Sequence, residues 1–185
     1  MLTSEADILI IPGLGGSGPD HWQSRWEAKL PTARRVMQDD WDRPDLSAWS
    51  ARLCEEAGKA TRPLILVAHS LGTYAVAVAA ARLAGRMPGQ VRGAFLVTPP
   101  SRRVIAAMGG AEVVDALPTT ILPFKSLVIA SRDDPYGPYE EAESLAEAWG
   151  ADISDAGNSG HINAESGHGP WPEGLMRFAG FMKTL

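Results

Sequence analysis

The chain has 185 residues, of which 45% are hydrophobic and 21% charged, a composition that suits one globular domain spanning residues 1–185. The net charge of −5, the scattered Lys and Arg and the lack of any apolar run near ~20 residues argue against nucleic-acid and membrane partners. The single cysteine, Cys54, cannot form an internal disulfide, and the acidic first residues are unlike a secretory signal, so we expect a cytoplasmic protein.

Short apolar segments predict six strands, in chain order Ile8–Ile11, a weaker Arg35–Gln38, Leu64–Ala68, Ala94–Val97, Ser126–Ala130 and a weak Ala151–Ala156. Between them, apolar residues at three- and four-residue spacing predict helices over Pro19–Leu30, after Asp45, over Leu71–Leu83, from Pro138 to Gly150 and from Pro172. The stretch Pro99–Pro123 fits this rhythm least well and predicts a short helix with loops near the site.

This alternation of strands and helices predicts an α/β protein, a three-layer α/β/α sandwich around a mostly parallel six-stranded sheet. The segment Leu64–Ala68 is apolar at every position, which is typical of a central parallel strand buried on both faces. No repeat, low-complexity tract or linker divides the chain, so one domain is expected.

The pattern Ala68-His69-Ser70-Leu71-Gly72 lies where the strand Leu64–Ala68 runs directly into a helix. It is G-x-S-x-G with Ala in the first position, the pattern of a nucleophile elbow that lifts its central Ser above the sheet. Small flanking residues are needed because such a turn is strained and tightly packed. A Ser here can instead simply cap the following helix, and the motif alone does not separate these readings.

Two later segments supply the partners that a nucleophilic serine needs. A serine hydroxyl attacks only when a histidine takes its proton, and an acid orients that histidine. In α/β hydrolases the chain order is Ser, acid, His, and each group follows a strand end. Asp134 follows the strand Ser126–Ala130, and His161 follows the last strand. This order favours a Ser70, Asp134 and His161 triad over a helix cap.

Each partner has a competitor nearby in the sequence. We prefer Asp134 over Asp133 because Asp134 begins an Asp-Pro turn towards the next helix, whereas Asp133 is free to bond local amides. His168 is the main rival base, although it lies seven residues further from the last strand than the preferred histidine. His69, inside the elbow, is expected to point away from Ser70 and to serve packing or hydrogen bonding.

An acyl-transfer site also needs two backbone N–H groups to hold the developing oxyanion. Leu71, directly after the nucleophile, and Leu14, in the glycine-rich turn after the first strand, are the predicted donors. The glycines around Leu14 permit a close approach of the backbone. The residues predicted to line the substrate pocket are Gly13, His21, Trp22 and Pro99.

The same turn matches the dinucleotide fingerprint G-x-G-x-x-G through Gly13, Gly15 and Gly18. Acids that a ribose would need follow about 20 residues later, at Asp39, Asp40 and Asp42. Pro19 argues against this alternative because it starts the helix after the third glycine, whereas the fingerprint has that glycine inside the helix. No Cys or His cluster has metal-ligand spacing, so neither a cofactor nor a metal is predicted.

Four segments also carry a family resemblance: Pro12–Trp26, Ala68–Gly72, Ser131–Tyr139 and Gly157–Gly167. Together they resemble the YdeN-like serine hydrolases, a family that includes the retinoblastoma-binding-protein-nine type. The resemblance extends from Ile8 to Phe181 and implies a minimal lidless α/β-hydrolase fold with a catalytic triad at Ser70, Asp134 and His161. Ala68 departs from the Gly of the wider superfamily but keeps a small residue there.

The expected activity is that of a serine hydrolase acting on small or short-chain esters, through an acyl-serine intermediate. A chain this short leaves little sequence for a lid, so the site should be shallow and open. The alternative is a binding protein that keeps the fold with a weak or idle site. The substrate of such families is poorly defined, and the sequence leaves the natural ester and the oligomeric state open.

Overall fold

A single parallel sheet of six strands, in the order β2-β1-β3-β4-β5-β6, organises the computed structural model, which describes residues 1–109 and 117–185. The strands are β1 (Asp7–Ile11), β2 (Ala33–Arg35), β3 (Leu64–His69), β4 (Val91–Val97), β5 (Lys125–Ala130) and β6 (Asp152–Asp155). The helices in these ranges are α1 (Trp22–Lys29), α2 (Leu46–Ala57), α3 (Gly72–Arg86), α4 (Arg102–Gly109), α5 (Tyr139–Trp149) and α6 (Pro172–Met182).

The helices cover both faces of the sheet because the central strands are apolar on both sides. In β3, Leu64, Leu66 and Ala68 pack in a core with α2, α3 and α5, whereas Ile65 and Val67 pack in a second core with α1 and α6. All of these strand residues are fully buried. The predicted three-layer sandwich is therefore confirmed, and every strand pair is parallel.

Side-chain caps set the ends of two helices. Asp45, after which a helix is predicted, accepts hydrogen bonds from the N–H groups of Ser47 and Ala48 and so caps α2. Helix α1 begins at Trp22 and not at Pro19, because the ring of His21 accepts the N–H of the second helical residue and ends the preceding turn. An imidazole is an uncommon cap, which is why residue preference placed this start too early.

Two other predictions needed correction or fall partly outside the described residues. Strand β2 occupies Ala33–Arg35 and not Arg35–Gln38, because it pairs with β1 in a register that places Ala33 opposite Ile8. Within the Pro99–Pro123 stretch, α4 supplies the predicted short helix, and residues 110–116 lie outside the described ranges. No lid domain interrupts the described alternation of strands and helices, and none of its helices is long and apolar enough to cross a membrane.

Gly72, the last residue of the elbow pattern, starts α3 where the helix presses against the end of β1. A Cβ atom there would lie 2.6 Å from the carbonyl oxygen of Pro12 and would overlap that of Ile11. We therefore expect Gly72→Ala to lower the free energy of unfolding by about 3 kcal/mol through overpacking. Gly85→Ala, in the same helix with open space around it, should instead raise it by about 0.5–1 kcal/mol. Urea unfolding of both variants tests this, and equal effects would contradict it.

Candidate active site

Ser70 lies on a strained turn between β3 and α3, at the carboxyl edge of the sheet. Its φ is +53°, in the left-handed region that non-glycine residues rarely adopt. The turn is held because the Ser70 N–H donates to the carbonyl of Val97 at 2.9 Å and the Thr73 hydroxyl donates to the Ser70 carbonyl at 2.7 Å. Gly13 packs so closely beneath it that an added Cβ would lie 2.8 Å from the Ser70 Cβ. Backbone strain of this kind is typical of functional sites.

The structure brings the three predicted side chains of the site together. The Oγ of Ser70 is 2.9 Å from Nε2 of His161, and Nδ1 of the same ring is 2.9 Å from both carboxylate oxygens of Asp134. The side chains of His161 and Asp134 are 8% and 3% exposed. An Nδ1–H held by the carboxylate leaves Nε2 as an acceptor, so the ring can take a proton from the hydroxyl.

The neighbouring acid, Asp133, has a different position and different partners. Its Oδ1 accepts the N–H of Gly160 at 2.7 Å and the hydroxyl of Ser131 at 2.9 Å. These bonds, the Gly160 N–H first, hold the pKa of the Asp133 carboxyl below its ordinary value. Asp133 therefore ties the end of β5 to the loop that carries His161, through a backbone amide 27 positions away in the chain and not through the local amides that the sequence led us to expect.

Two donors converge on the backbone carbonyl of His161. His69 Nε2 lies 2.9 Å from that oxygen, and the Thr98 hydroxyl donates to it at 3.2 Å. A carbonyl oxygen only accepts, so His69 carries its proton on Nε2. Burial, followed by the charge of His161, holds the pKa of His69 well below its ordinary value, and the ring is neutral. His69 thus turns away from Ser70, as expected, and anchors the loop of the other histidine.

His168, the predicted rival base, lies elsewhere in the same loop. Its Nδ1 is 3.1 Å from the hydroxyl of Ser166, and its carbonyl accepts the backbone N–H of Trp22. It makes no hydrogen bond with Ser70. Its contacts fold the loop against the start of α1.

A cleft of about 560 Å³ opens beside Ser70, within the size range of small-molecule sites. Among the predicted pocket residues, His21 lines this cleft. Sequence reasoning missed Tyr136, whose ring centroid lies 4.6 Å from that of His161, and the apolar side chains that α4 contributes, Val104 and Met108. Tyr136 lies two residues after Asp134, but nothing in its residue type shows that it turns back over the histidine.

The other three predicted pocket residues do not line the cleft. Trp22 is fully buried, and its indole N–H donates to the carbonyl of Ile162 at 2.9 Å beneath the site. Gly13 lies under the elbow, as described above. Pro99 faces a smaller cavity beside Tyr74, and the next residue, Pro100, reaches the main cleft. Nearness to a turn in sequence did not show which way these residues face.

The two amides predicted to hold an oxyanion lie in adjoining turns. Among the described residues, neither the N–H of Leu14 nor that of Leu71 donates to an acceptor. Gly13, which precedes Leu14, would place a Cβ only 3.1 Å from the nitrogen of Leu71, so the two turns are in contact. Two unused donors in turns that meet at Ser70 suit the binding of a negative oxygen.

The glycine-rich turn does not have the geometry of a dinucleotide site. Leu14–Gly16 forms a short 3₁₀ turn, and α1 begins only at Trp22, after Gly18. The fingerprint requires the third glycine to lie at the start of the helix, against the strand. Gly16 instead supports the ring of Trp41, which an added Cβ would meet at 2.8 Å.

His21 is a buried, neutral imidazole at the wall of the cleft. The residue is 6% exposed, and its ring centroid lies 4.7 Å from that of His69. Burial, with smaller contributions from the charges of Arg35, His161 and His168, lowers the pKa of His21 from 6.5 to about 3. The ring therefore stays uncharged at neutral pH.

This lowered pKa makes stability depend on pH. Below pH 6.5 the unfolded chain binds a proton at His21, whereas the folded chain does so only near pH 3, so stability falls as the pH falls through this window. The slope is about 1.4 kcal/mol per pH unit, or about 2 kcal/mol between pH 6.5 and 5. In His21→Asn, urea unfolding should show a loss between pH 7 and 5 that is smaller by this amount. An unchanged pH dependence would contradict the assignment.

A parallel sheet with a serine on a strained turn after β3, and a histidine within hydrogen-bonding distance of it, defines an α/β hydrolase of the serine type. Residues 8–180 match the family model described as serine hydrolase, and the chain belongs to that family. No curated protein sequence matches the chain.

Solved structures agree with this assignment. A YdeN-like hydrolase from Pectobacterium atrosepticum is 33% identical, with a TM-score of 0.87 over 98% of this chain and 93% of the other. The ydeN gene product from B. subtilis is 22% identical, with a TM-score of 0.78 over 97% and 99%. Esterase 2 from Thermogutta terrifontis, at 16% identity and a TM-score of 0.66 over 97% and 83%, shares the fold. The resemblance to YdeN-like hydrolases is thus confirmed.

Proposed function

We propose that the chain is a carboxylic ester hydrolase in which Ser70 is the nucleophile, His161 the general base and Asp134 the residue that orients the base. The observation that carries the proposal is the 2.9 Å separation of the Ser70 Oγ and His161 Nε2, with Asp134 on the opposite ring nitrogen. This is the geometry that proton transfer from a hydroxyl to an imidazole requires.

The reaction proceeds in two acyl transfers. As the Ser70 oxygen attacks the ester carbonyl, its proton passes to Nε2 of His161, and the Asp134 carboxylate stabilises the imidazolium. The imidazolium then gives its proton to the leaving alkoxide as the carbonyl–alkoxide bond breaks, which leaves an acyl-serine. Water, deprotonated by the same nitrogen, attacks the acyl-serine and releases the acid and the free hydroxyl.

The remaining groups of the site act through position. The N–H groups of Leu14 and Leu71 hold the negative oxygen of both tetrahedral intermediates. The bonds from His69 and Thr98 to the His161 carbonyl fix the backbone from which the base projects. Because the oxyanion amides and the donors that fix the base are all in place before substrate binds, the site needs little reorganisation during the reaction.

The cleft favours small esters. It is bordered by described residues of short turns and of α4, and it has a volume of about 560 Å³. A site of this size encloses a short acyl chain and leaves a long one partly in solvent. We therefore propose short-chain esters as the substrates.

A chain-length series of p-nitrophenyl esters, read together with fluorophosphonate labelling, tests this function. We expect kcat/KM to be greatest for two- to four-carbon acyl groups and intact mass to show one phosphonate adduct per chain. Absence of both turnover and adduct would favour the alternative of a binding protein with an idle site. Turnover that rises with acyl-chain length would contradict the proposal of short-chain substrates. It would not contradict the proposed reaction at Ser70.

A further inference from the structure

His21 holds a hydrogen-bond donor that the proposed reaction does not use. Its Nδ1 accepts the N–H of Gln23 at 3.1 Å, so this nitrogen carries no proton. Since the ring is neutral, the proton is on Nε2. That nitrogen is buried and has no hydrogen-bond partner among the described residues. A buried unsatisfied N–H costs about 1–3 kcal/mol, so such a group calls for an explanation.

The position of His21 links this donor to the reacting groups. The ring lines the same cleft as Ser70, and the rings of His21, His69 and His161 follow one another with centroid separations of 4.7 and 4.9 Å. His69 already gives its single proton to the His161 carbonyl. The proton on Nε2 of His21 is therefore the one imidazole donor of this row that is left for a ligand.

The charges around the cleft indicate which acceptor would meet this donor. Asp20, Asp42 and Glu165 line the cleft, and none of its described lining residues is Lys or Arg. Asp20 is 3.5 Å from Arg25, whereas Asp42 and Glu165 have no ion pair among the described residues. A carboxylate or phosphate would be repelled by these acids. A neutral ether, hydroxyl or carbonyl oxygen would not.

We propose that Nε2–H of His21 donates a hydrogen bond to a second, neutral oxygen of the substrate, close to the scissile ester group. The protein would thus prefer oxygen-substituted esters over hydrocarbon esters of the same shape. This inference rests on the proposed ester hydrolysis and adds a specificity-determining residue to it. A polar site rejects the analogue that lacks the matching group because its own donor is then left unpaired.

Two substitutions separate this role from helix capping. His21→Asn retains an oxygen close to the place of Nδ1, so it still caps α1, but it removes Nε2–H. His21→Gln places an amide N–H near the position of Nε2 and loses the cap. Thermal unfolding should therefore show His21→Asn to be the more stable variant. Their substrate selectivity should rank in the opposite order.

The measurement is the ratio of kcat/KM for a methoxy ester to that for its isosteric hydrocarbon ester. One pair, 3-methoxypropionate and pentanoate p-nitrophenyl esters, varies the acyl part, and 2-methoxyethyl and butyl acetates vary the alcohol. Comparing this ratio between wild type and variant cancels intrinsic reactivity. We expect it to fall about tenfold in His21→Asn for at least one pair and to be largely kept in His21→Gln. Equal losses on both members of each pair would overturn the proposal.

A binding measurement separates failure of this inference from failure of the proposed function. In Ser70→Ala, which cannot form an acyl-serine, the ¹⁵N signals of His21 are followed while each ester is added. The methoxy esters should shift the Nε2 signal and the hydrocarbon esters should not. If wild type turned over no ester and this shift still appeared, the donor role would stand without the reaction. If no methoxy ester moved the signal, the role would be excluded.

Discussion

Ser70→Ala is expected to lower kcat on the best short-chain ester by about 10⁴-fold or more and to abolish fluorophosphonate labelling. The methyl group of Ala cannot attack the carbonyl, and what remains is the contribution of the oxyanion donors and of binding. The folded state should persist, because Ala occupies the same strained backbone without a new contact. Steady-state kinetics and intact mass after labelling measure both effects.

A matched serine variant controls for general damage. Ser144 lies on the outer side of α5, where its hydroxyl donates to the Glu140 carbonyl of the same helix. Ser144→Ala should leave kcat and labelling as they are in wild type. Labelling that survived in Ser70→Ala, or disappeared in Ser144→Ala, would place the nucleophile elsewhere.

His161→Ala is expected to lower kcat by a similar factor, about 10⁴-fold, because the hydroxyl then has no base within reach. His168→Ala should change kcat little, since its ring contacts Ser166 and not Ser70. Added imidazole should restore part of the rate in His161→Ala, by entering the space that the side chain left. Stopped-flow or steady-state assays at saturating ester are sufficient.

The two histidine variants also test the choice of His161 over His168 as the base. If His168→Ala were the inactive protein and His161→Ala kept its rate, the base would be the later histidine and the proposed geometry would be incorrect. If both variants lost activity while their unfolding curves stayed as in wild type, activity would depend on the conformation of the whole loop that carries the two histidines. Recovery with imidazole in only one would then assign the base.

The layers of the fold were predictable because a strand that is buried on both faces has a continuous run of apolar residues in the sequence. A strand such as β3 has apolar residues at every position, and the neighbouring helices have an apolar stripe. The boundaries of the strands and helices were harder to predict. Strand β2 carries Arg34 and Arg35, and its position depends on the register with β1, which no local pattern encodes.

The three side chains that meet in the candidate site were predictable for a different reason. Ser70 follows the end of β3 directly, and Asp134 and His161 lie in the loops that follow β5 and β6. All strands are parallel, so these side chains meet at one edge of the sheet. The surroundings depend on loop conformation. The turn of Tyr136 over the imidazole and the bond from His69 to a distant carbonyl each join residues that have no spacing rule between them.

Ser70 and His161 are 91 positions apart in the chain, yet they are in hydrogen-bonding contact. Contacts over such separations form late, since the intervening chain must first be ordered. A refolding sample should therefore regain its helical circular dichroism before it regains turnover. Recovered activity then counts only the molecules whose entire sheet has assembled.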